Sequence, residues 1–365
     1  MEPARLRAIL ARAPGLVARH LKLATATTGT ATAVLSADSV AALLAQRLPT
    51  RMKAWLETPD HCLIDADLRW IEANHAQILC CLDPGYPPAL AGAEGSPAML
   101  YVCGTPSPLA RPALAIVGAP QASAAGIETA GRFAAQLARA GLSIVSGLAE
   151  GIDTAAHQGA LAAGGPCIGV CTAGLDRIHP ARSARLAAQI RGGGGSLVSL
   201  FAPGTPPRRY HFALRNRLIA ALTAGVLVVE AVEGSGALSL AAQARRLQRR
   251  VFAIPGSVRD PQSRACNQLI RDGATLVQQS SELLGDLNLN DIQSVTEAGP
   301  AAGGSPPLDN KYEMLLDAAG FEPVDIDVLA LRTGWSGHAV ASMLLLLELQ
   351  GRVAPQPGGR YCRLS

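Results

Sequence analysis

The chain has 365 residues, of which 49% are apolar and only 16% charged; this excludes an intrinsically disordered protein and leaves room for about two or three domains with a sizeable core. Aromatic residues contribute just 4%, so the core must be built from Ala, Leu and Val, which suits helices packed closely on a parallel sheet. The net charge is only +4, but residues 205–275 hold eleven Arg against Glu230, Glu233, Asp260 and Asp272, a surplus of +7 that points to a polyanionic partner such as nucleic acid.

Eight cysteines are scattered without a CxxC pair or zinc-like Cys/His spacing, and read as small core residues in a reducing compartment. The Arg-containing N-terminus has no long apolar run, and Met343–Leu347 is too short to cross a bilayer. The expected location is cytoplasmic.

Residues 1–105 read as a small helical domain of the SAM or helix-hairpin-helix type plus a connector. Pro14-Gly15, Thr28-Gly29, Pro49 and Pro59 punctuate its short amphipathic pieces, and 86–106 looks extended. From 106 to 286 the texture becomes strand, glycine turn, helix, repeated. Apolar strands are expected at 113–118, 142–147, 167–172, 196–200, 225–231 and 251–256, with an edge strand near 275–278. Helices are expected at 123–140, 153–163, 182–191, 214–223, 237–247 and 267–272. Strands that are apolar throughout and alternate with helices predict a Rossmann-like doubly wound parallel sheet, with ligands beyond the C-terminal strand ends. Residues 287–308 read as a linker rich in Gly, Pro and Ala. Residues 309–365 predict three helices and a hairpin, a winged helix. It carries seven acidic residues against five Lys/Arg, which suits a protein contact or structural cap better than a duplex reader.

Three turns offer backbone N–H groups at a helix start, where the dipole favours anions. The first runs from Gly118 through Ser123 to Gly126, with Ser123 a plausible N-cap and Pro120 removing one donor. The second is Ser146-Gly147 to Gly151. The third is Ser235-Gly236, which also reads simply as a helix-start turn. No strict GxGxxG fingerprint is present, which argues against a dinucleotide, and no cofactor is expected. Asp153 and His157, four apart on one helix face, read as an acid–base pair or half a metal site; the weightier reading is a helix cap and a packed side chain, because no third ligand is spaced to join them. The densest basic-aromatic cluster is RRYHFALRNR: Arg208, Arg209, Tyr210, His211, Phe212, Arg215, Asn216 and Arg217. Arginines neutralise phosphates and a ring between them can stack a base, which favours unpaired strands; alternatively Phe212 anchors the core and the arginines are a solvated face. Arg245, Arg246, Arg249 and Arg250 either extend this track or form another solvated face.

These motifs together resemble the DNA-processing protein A family (DprA/Smf). The similarity is carried by AIVG (115–118), IVSGLAEGID (144–153), GLD (174–176) with Pro180, RNR (215–217), VVEA (228–231) with Ser235-Gly236, VFAIPG (251–256) and NQLIRDGA (267–274), in order across residues 115–274. The resemblance implies a protein without catalytic activity that binds single-stranded DNA in natural transformation. It implies protection of incoming strands, a part in loading RecA onto DNA coated with single-strand-binding protein, and a homodimer. The chain departs from the family where Ala119-Pro120 replace Ser-Arg, Glu150 replaces Arg, and Ala213, Ala237 and Ala265 replace Pro, Ser and Gly. A carboxylate beside a phosphate costs on the order of 1–2 kcal/mol unless it points away. A more distant resemblance is to Rossmann-like hydrolases of nucleoside monophosphates, in which Glu230 would be catalytic and Ser235-Gly236 would hold the phosphate; their PGGxGT-like loop is replaced here by VEGSGAL.

Overall fold

The computed structural model describes residues 2–27, 37–93, 95–287, 289 and 310–364. The Thr28-Gly29 turn and almost all of the expected linker lie outside the described residues. Five helices lead: α1 (Pro3–Arg12), α2 (Ala18–Thr27), α3 (Ala37–Leu44), α4 (Thr50–Glu57) and α5 (His61–Ala73). β1 (Ala76–Cys80), α6 (Pro88–Ala91) and β2 (Met99–Gly104) follow. The alternating core then runs β3 (Ala113–Val117), α7 (Ala124–Arg139), β4 (Ser143–Ser146), α8 (Ile152–Ala162), β5 (Cys167–Val170), α9 (Ala184–Gly192) and β6 (Ser196–Ser199). It continues α10 (Arg209–Leu222), β7 (Gly225–Val228), α11 (Gly236–Arg246), β8 (Arg250–Ala253), α12 (Arg264–Arg271), β9 (Thr275–Leu276) and α13 (Ser280–Asp286).

All these strands join one nine-stranded sheet in the order β1-β2-β6-β5-β4-β3-β7-β8-β9. From β6 to β9 every pairing is parallel; β1 and β2 extend it antiparallel. The sheet is Rossmann-like and doubly wound, as its unbroken apolar strands predict. Side chains alternate along each strand. In β3, Leu114 and Ile116 join the cluster containing Phe133, Leu137 and Ile190 of α7 and α9, whereas Ala115 and Val117 join that of Ile219, Leu240 and Leu269 of α10, α11 and α12. Helices α7 and α8 touch through glycines: a Cβ on Gly159 would lie 2.2 Å from the Gly131 carbonyl oxygen.

The stretch expected to be an extended connector supplies strand β2, because the free edge of β6 must be paired and MLYVCG is apolar enough to do it. The N-terminal helices pack on the same sheet face as α7–α9, sharing a core from Leu6, Leu10 and Leu21 to Tyr101. Two bidentate ion pairs fasten the first helix: Arg7 to Asp83 at 2.6 and 2.7 Å, and Arg12 to Asp67 at the same distances. Arg12 also donates to the Pro203 carbonyl at 3.0 Å, on the loop after β6.

The C-terminal unit comprises α14 (Asn310–Ala319), β10 (Val324–Asp325), α15 (Ile326–Thr333), α16 (Gly337–Leu349), β11 (Val353–Gln356) and β12 (Arg360–Arg363), with a β10-β12-β11 sheet. This is the expected winged helix, closed around Leu316, Leu329, Val340 and Leu344.

Candidate nucleic-acid interface

The sheet order reverses between β3 and β7, which diverging loops make the usual ligand crevice of such folds. Here that crevice is filled by the chain itself. Ser123 caps α7 through its hydroxyl, which accepts the Gly126 N–H at 2.9 Å. The Glu230 carboxylate, just past β7, accepts the Ser123 N–H at 2.9 Å and the Ser123 hydroxyl at 2.5 Å. A Cβ on Gly126 would lie 2.3 Å from Glu230 Cδ, so this glycine makes room for a carboxylate. At Gly118 a Cβ would press on the Glu230 carbonyl and on Ile152. The first expected seat, Gly118, Ser123 and Gly126, therefore already holds an anion. Glu230, considered as a lone catalytic carboxylate, is occupied in building the α7 N-terminus.

The second seat is filled in the same way. Asp153 is 4% exposed, and Oδ2 accepts the N–H groups of Gly147 at 3.2 Å and Ala149 at 3.3 Å. It is not the helix cap expected from its position; Gly151 holds that place, with a positive φ and a Cβ position 2.3 Å from the Ala119 carbonyl. Ser146 is buried and donates its hydroxyl to the Ile116 carbonyl at 2.7 Å. Burial pushes the Asp153 carboxyl up in pKa, while Arg215 and the loop N–H groups oppose the rise. Arg215 is in turn lowered by desolvation and supported by Asp153. Ser146, Gly147 and Gly151 thus build a turn around the buried Asp153 carboxylate, with Arg215 held on the Gly147 carbonyl beside it. His157, behind them, is fully buried; desolvation brings its pKa down to about 4, so it is neutral at pH 7.

The basic cluster lies beside this turn. Its helix starts at Arg209, five residues before the expected start, and so arranges the cluster in α-helical register. Arg215 donates to the Gly147 carbonyl at 2.9 Å and to Asn216 Oδ1 at 3.3 and 3.0 Å, which leaves donor capacity on both Nη atoms. Gly147 permits this approach, since a Cβ there would lie 2.4 Å from Arg215 Nη1. Asn216 is buried and donates to the Gly236 carbonyl at 3.2 Å. It bridges α10 to α11 and presents nothing to solvent. Arg217 turns the other way, over Gly95 toward the N-terminal helices, as residues two apart on a helix must. The structure therefore separates the two arginines that the sequence pattern groups.

What remains outward is compact. Arg208 and Arg209 are exposed at the start of α10. Phe212 is 40% exposed, with Arg215 5.6 Å above its ring and His179 edge-on at 6.1 Å. Tyr210 is exposed beside His211, whose ring stacks on Phe201 at 3.8 Å and contacts the Thr172 carbonyl at 2.9 Å. Desolvation lowers the His211 pKa. The third seat lies next to Asn216: Ser235 leads into α11 without capping it, and its hydroxyl is buried with no hydrogen-bond partner among the described residues. Glu150 forms an ion pair with Arg182, so the carboxylate at this departure from the family pattern is neutralised locally. Sequence reasoning missed His179 and Arg182; the former lies more than thirty residues before Phe212, and no short-range signal joins them. The Arg245 and Arg249 side chains instead donate to the Leu269 and Ala89 carbonyls, on the opposite end of the strands from the turns.

Among the described residues no cluster of three or more His, Cys, Asp or Glu side chains converges, and no helix is long and apolar enough to cross a membrane. The exposed side of α16 presents His338, Ala339, Ser342, Leu345 and Leu346, with no Lys or Arg.

Comparison with known proteins matches this architecture. A profile described as DNA recombination-mediator protein A matches residues 77–288, and one described as the DprA winged helix domain matches residues 299–359. Protein Smf of Escherichia coli is 40% identical over 313 residues, covering 85% of this chain and 79% of its own length. DNA processing protein DprA of Streptococcus pneumoniae is 40% identical over 205 residues, 56% of this chain and 72% of that protein. The X-ray structure of the Streptococcus pneumoniae DprA superposes with a TM-score of 0.66 at 31% identity, covering 78% of this chain and 99% of that one. A structure describing the single-stranded DNA binding mode of Helicobacter pylori DprA gives a TM-score of 0.53 at 26% identity, covering 59% and 96% of the two chains. The chain belongs to the DNA recombination-mediator protein A (DprA/Smf) family.

Proposed function

We propose that the chain binds single-stranded DNA in natural transformation, protects the incoming strand and helps load RecA onto it, without breaking a covalent bond. The observation that carries this reading is the exposed Phe212 ring framed by Arg215 and His179, with Arg208 and Arg209 one turn away. A ring with an open face stacks an unpaired base, and flanking guanidinium groups meet the phosphates on either side of it. Gly236 at the α11 N-terminus adds a main-chain donor, beside the unpartnered hydroxyl of Ser235, whose own N–H is held by the Val232 carbonyl at 3.2 Å. Gly118, Ser123, Gly126, Ser146, Gly147, Gly151 and Asn216 shape this face from within; Arg217 serves the side toward the N-terminal helices. The relative from Helicobacter pylori whose structure concerns single-stranded DNA binding supports the ligand class.

The homodimer, RecA and single-strand-binding protein are partners in this reading, and the cation-free face of α16 suits a protein contact better than a DNA groove. The test is electrophoretic mobility shift with single-stranded and duplex DNA of one sequence. Preference for the single strand supports the proposal; equal or stronger duplex binding overturns it.

A further inference from the structure

A cleft of about 540 Å³ separates the N-terminal helices from α10 and the loop after β6. Trp55, Met99, Leu200, Tyr210, Leu214 and Arg217 are among the residues around it. Its size lies within the range of small-ligand pockets. Three observations define what it would take. First, it gathers aromatic rings: Trp55, Phe201 and Tyr210 are three of only thirteen Phe, Trp and Tyr residues in the chain. The Trp55 indole is fixed by donating to the Ile9 carbonyl at 2.8 Å, and Phe201 is fixed by its stack on His211. Second, no Asp or Glu lines the cleft among the described residues, whereas Arg217 does; Arg12 lines it too, with its guanidinium paired to Asp67 behind the wall. Third, α10 is shared with the proposed DNA face: Arg209 and Phe212 point outward, and Tyr210, Leu214, Leu218 and Ala221 line the cleft on the adjoining side.

We infer that this cleft takes a base of the bound strand, so that the N-terminal helices form a second wall of the interface. Flat apolar walls suit a heteroaromatic ring, the missing carboxylates suit its anionic backbone, and continuity along α10 lets one strand pass from Phe212 to Tyr210 and inward. This rests on the single-strand reading above.

The test uses the full chain and oligo(dT) carrying 5-iodouracil, irradiated in complex, with adducts mapped by peptide mass spectrometry. Adducts on Trp55 are expected besides those on the peptide holding Tyr210 and Phe212. Leu214→Glu, at a half-exposed position on the mouth, is expected to weaken oligo(dT) binding by about tenfold, the scale of one lost base stack. A bound oligonucleotide that leaves Trp55 unmodified, or unchanged affinity in Leu214→Glu, overturns the inference alone. No retention of oligo(dT) by the unaltered protein overturns the parent reading and the inference with it.

Discussion

Replacing Arg215 by Ala separates positioning from contact. The guanidinium has two roles here: it holds the Gly147 carbonyl at 2.9 Å, and its charge favours the buried Asp153 carboxylate without a direct ion pair between them. Breaking a buried ion pair typically costs about 3–5 kcal/mol, and that figure is an upper bound for a charge that supports Asp153 without touching it. Arg215 is half-buried rather than fully enclosed, so water would reach the vacated space and reduce the loss to about 2–4 kcal/mol. Urea unfolding with a two-state fit measures this directly, and an unchanged slope would show that the compactness of the end states is preserved. Combining Arg215→Ala with Asp153→Asn should recover part of the loss, giving a coupling of about 1–3 kcal/mol in the double-mutant cycle. If Arg215→Ala unfolds at the same urea concentration as the parent and loses only DNA affinity, Arg215 is a phosphate contact and its support of Asp153 contributes nothing.

The other predictions concern the same framework. Glu230→Ala leaves the Ser123 N–H and hydroxyl without their acceptor and should destabilise by about 2–3 kcal/mol in thermal unfolding; no change would mean that the carboxylate is not needed at α7. His157 has a folded pKa lowered to about 4 from 6.5, so between those values the unfolded chain binds the extra proton. Stability should therefore fall with acidification through that window, by about 3 kcal/mol for this residue, and His157→Leu should flatten the profile; an unchanged profile refutes the assignment. Gly159→Ala forces apart α7 and α8 at the Gly131 carbonyl and should cost about 1–3 kcal/mol; equal or greater stability would contradict the close packing. Arg208→Ala and Arg209→Ala should each reduce the salt dependence of single-strand binding by about 0.7 in log–log slope, with stability unaltered.

The parallel strands were legible because each is an unbroken apolar run between glycine turns, and β3, β5 and β7 start at the expected residues. β1 and β2 were not: MLYVCG lies between Pro97 and Pro106 and gains its place only from the distant edge of β6, and AQILC, which follows α5 directly, gains its place only by pairing with β2. The glycine turns were legible as anion seats by backbone geometry. Their occupants were not: Glu230 lies 107 residues from Ser123, and Arg215 lies 68 residues from Gly147. A sequence shows which N–H groups a turn can offer, whereas the fold decides whether an internal carboxylate consumes them. The early start of α10 is not legible because RRYHF has no apolar periodicity, yet it aligns Arg208, Arg209 and Phe212 on the outer face.

The most direct measurement is a salt titration of oligo(dT) binding, by fluorescence anisotropy, for the parent chain and Phe212→Ala. The variant should bind about tenfold more weakly at every salt concentration with an unchanged slope, because a stacking ring is lost and no phosphate contact is. Equal affinity of the two proteins, or a slope that changes when only the ring is removed, would contradict this.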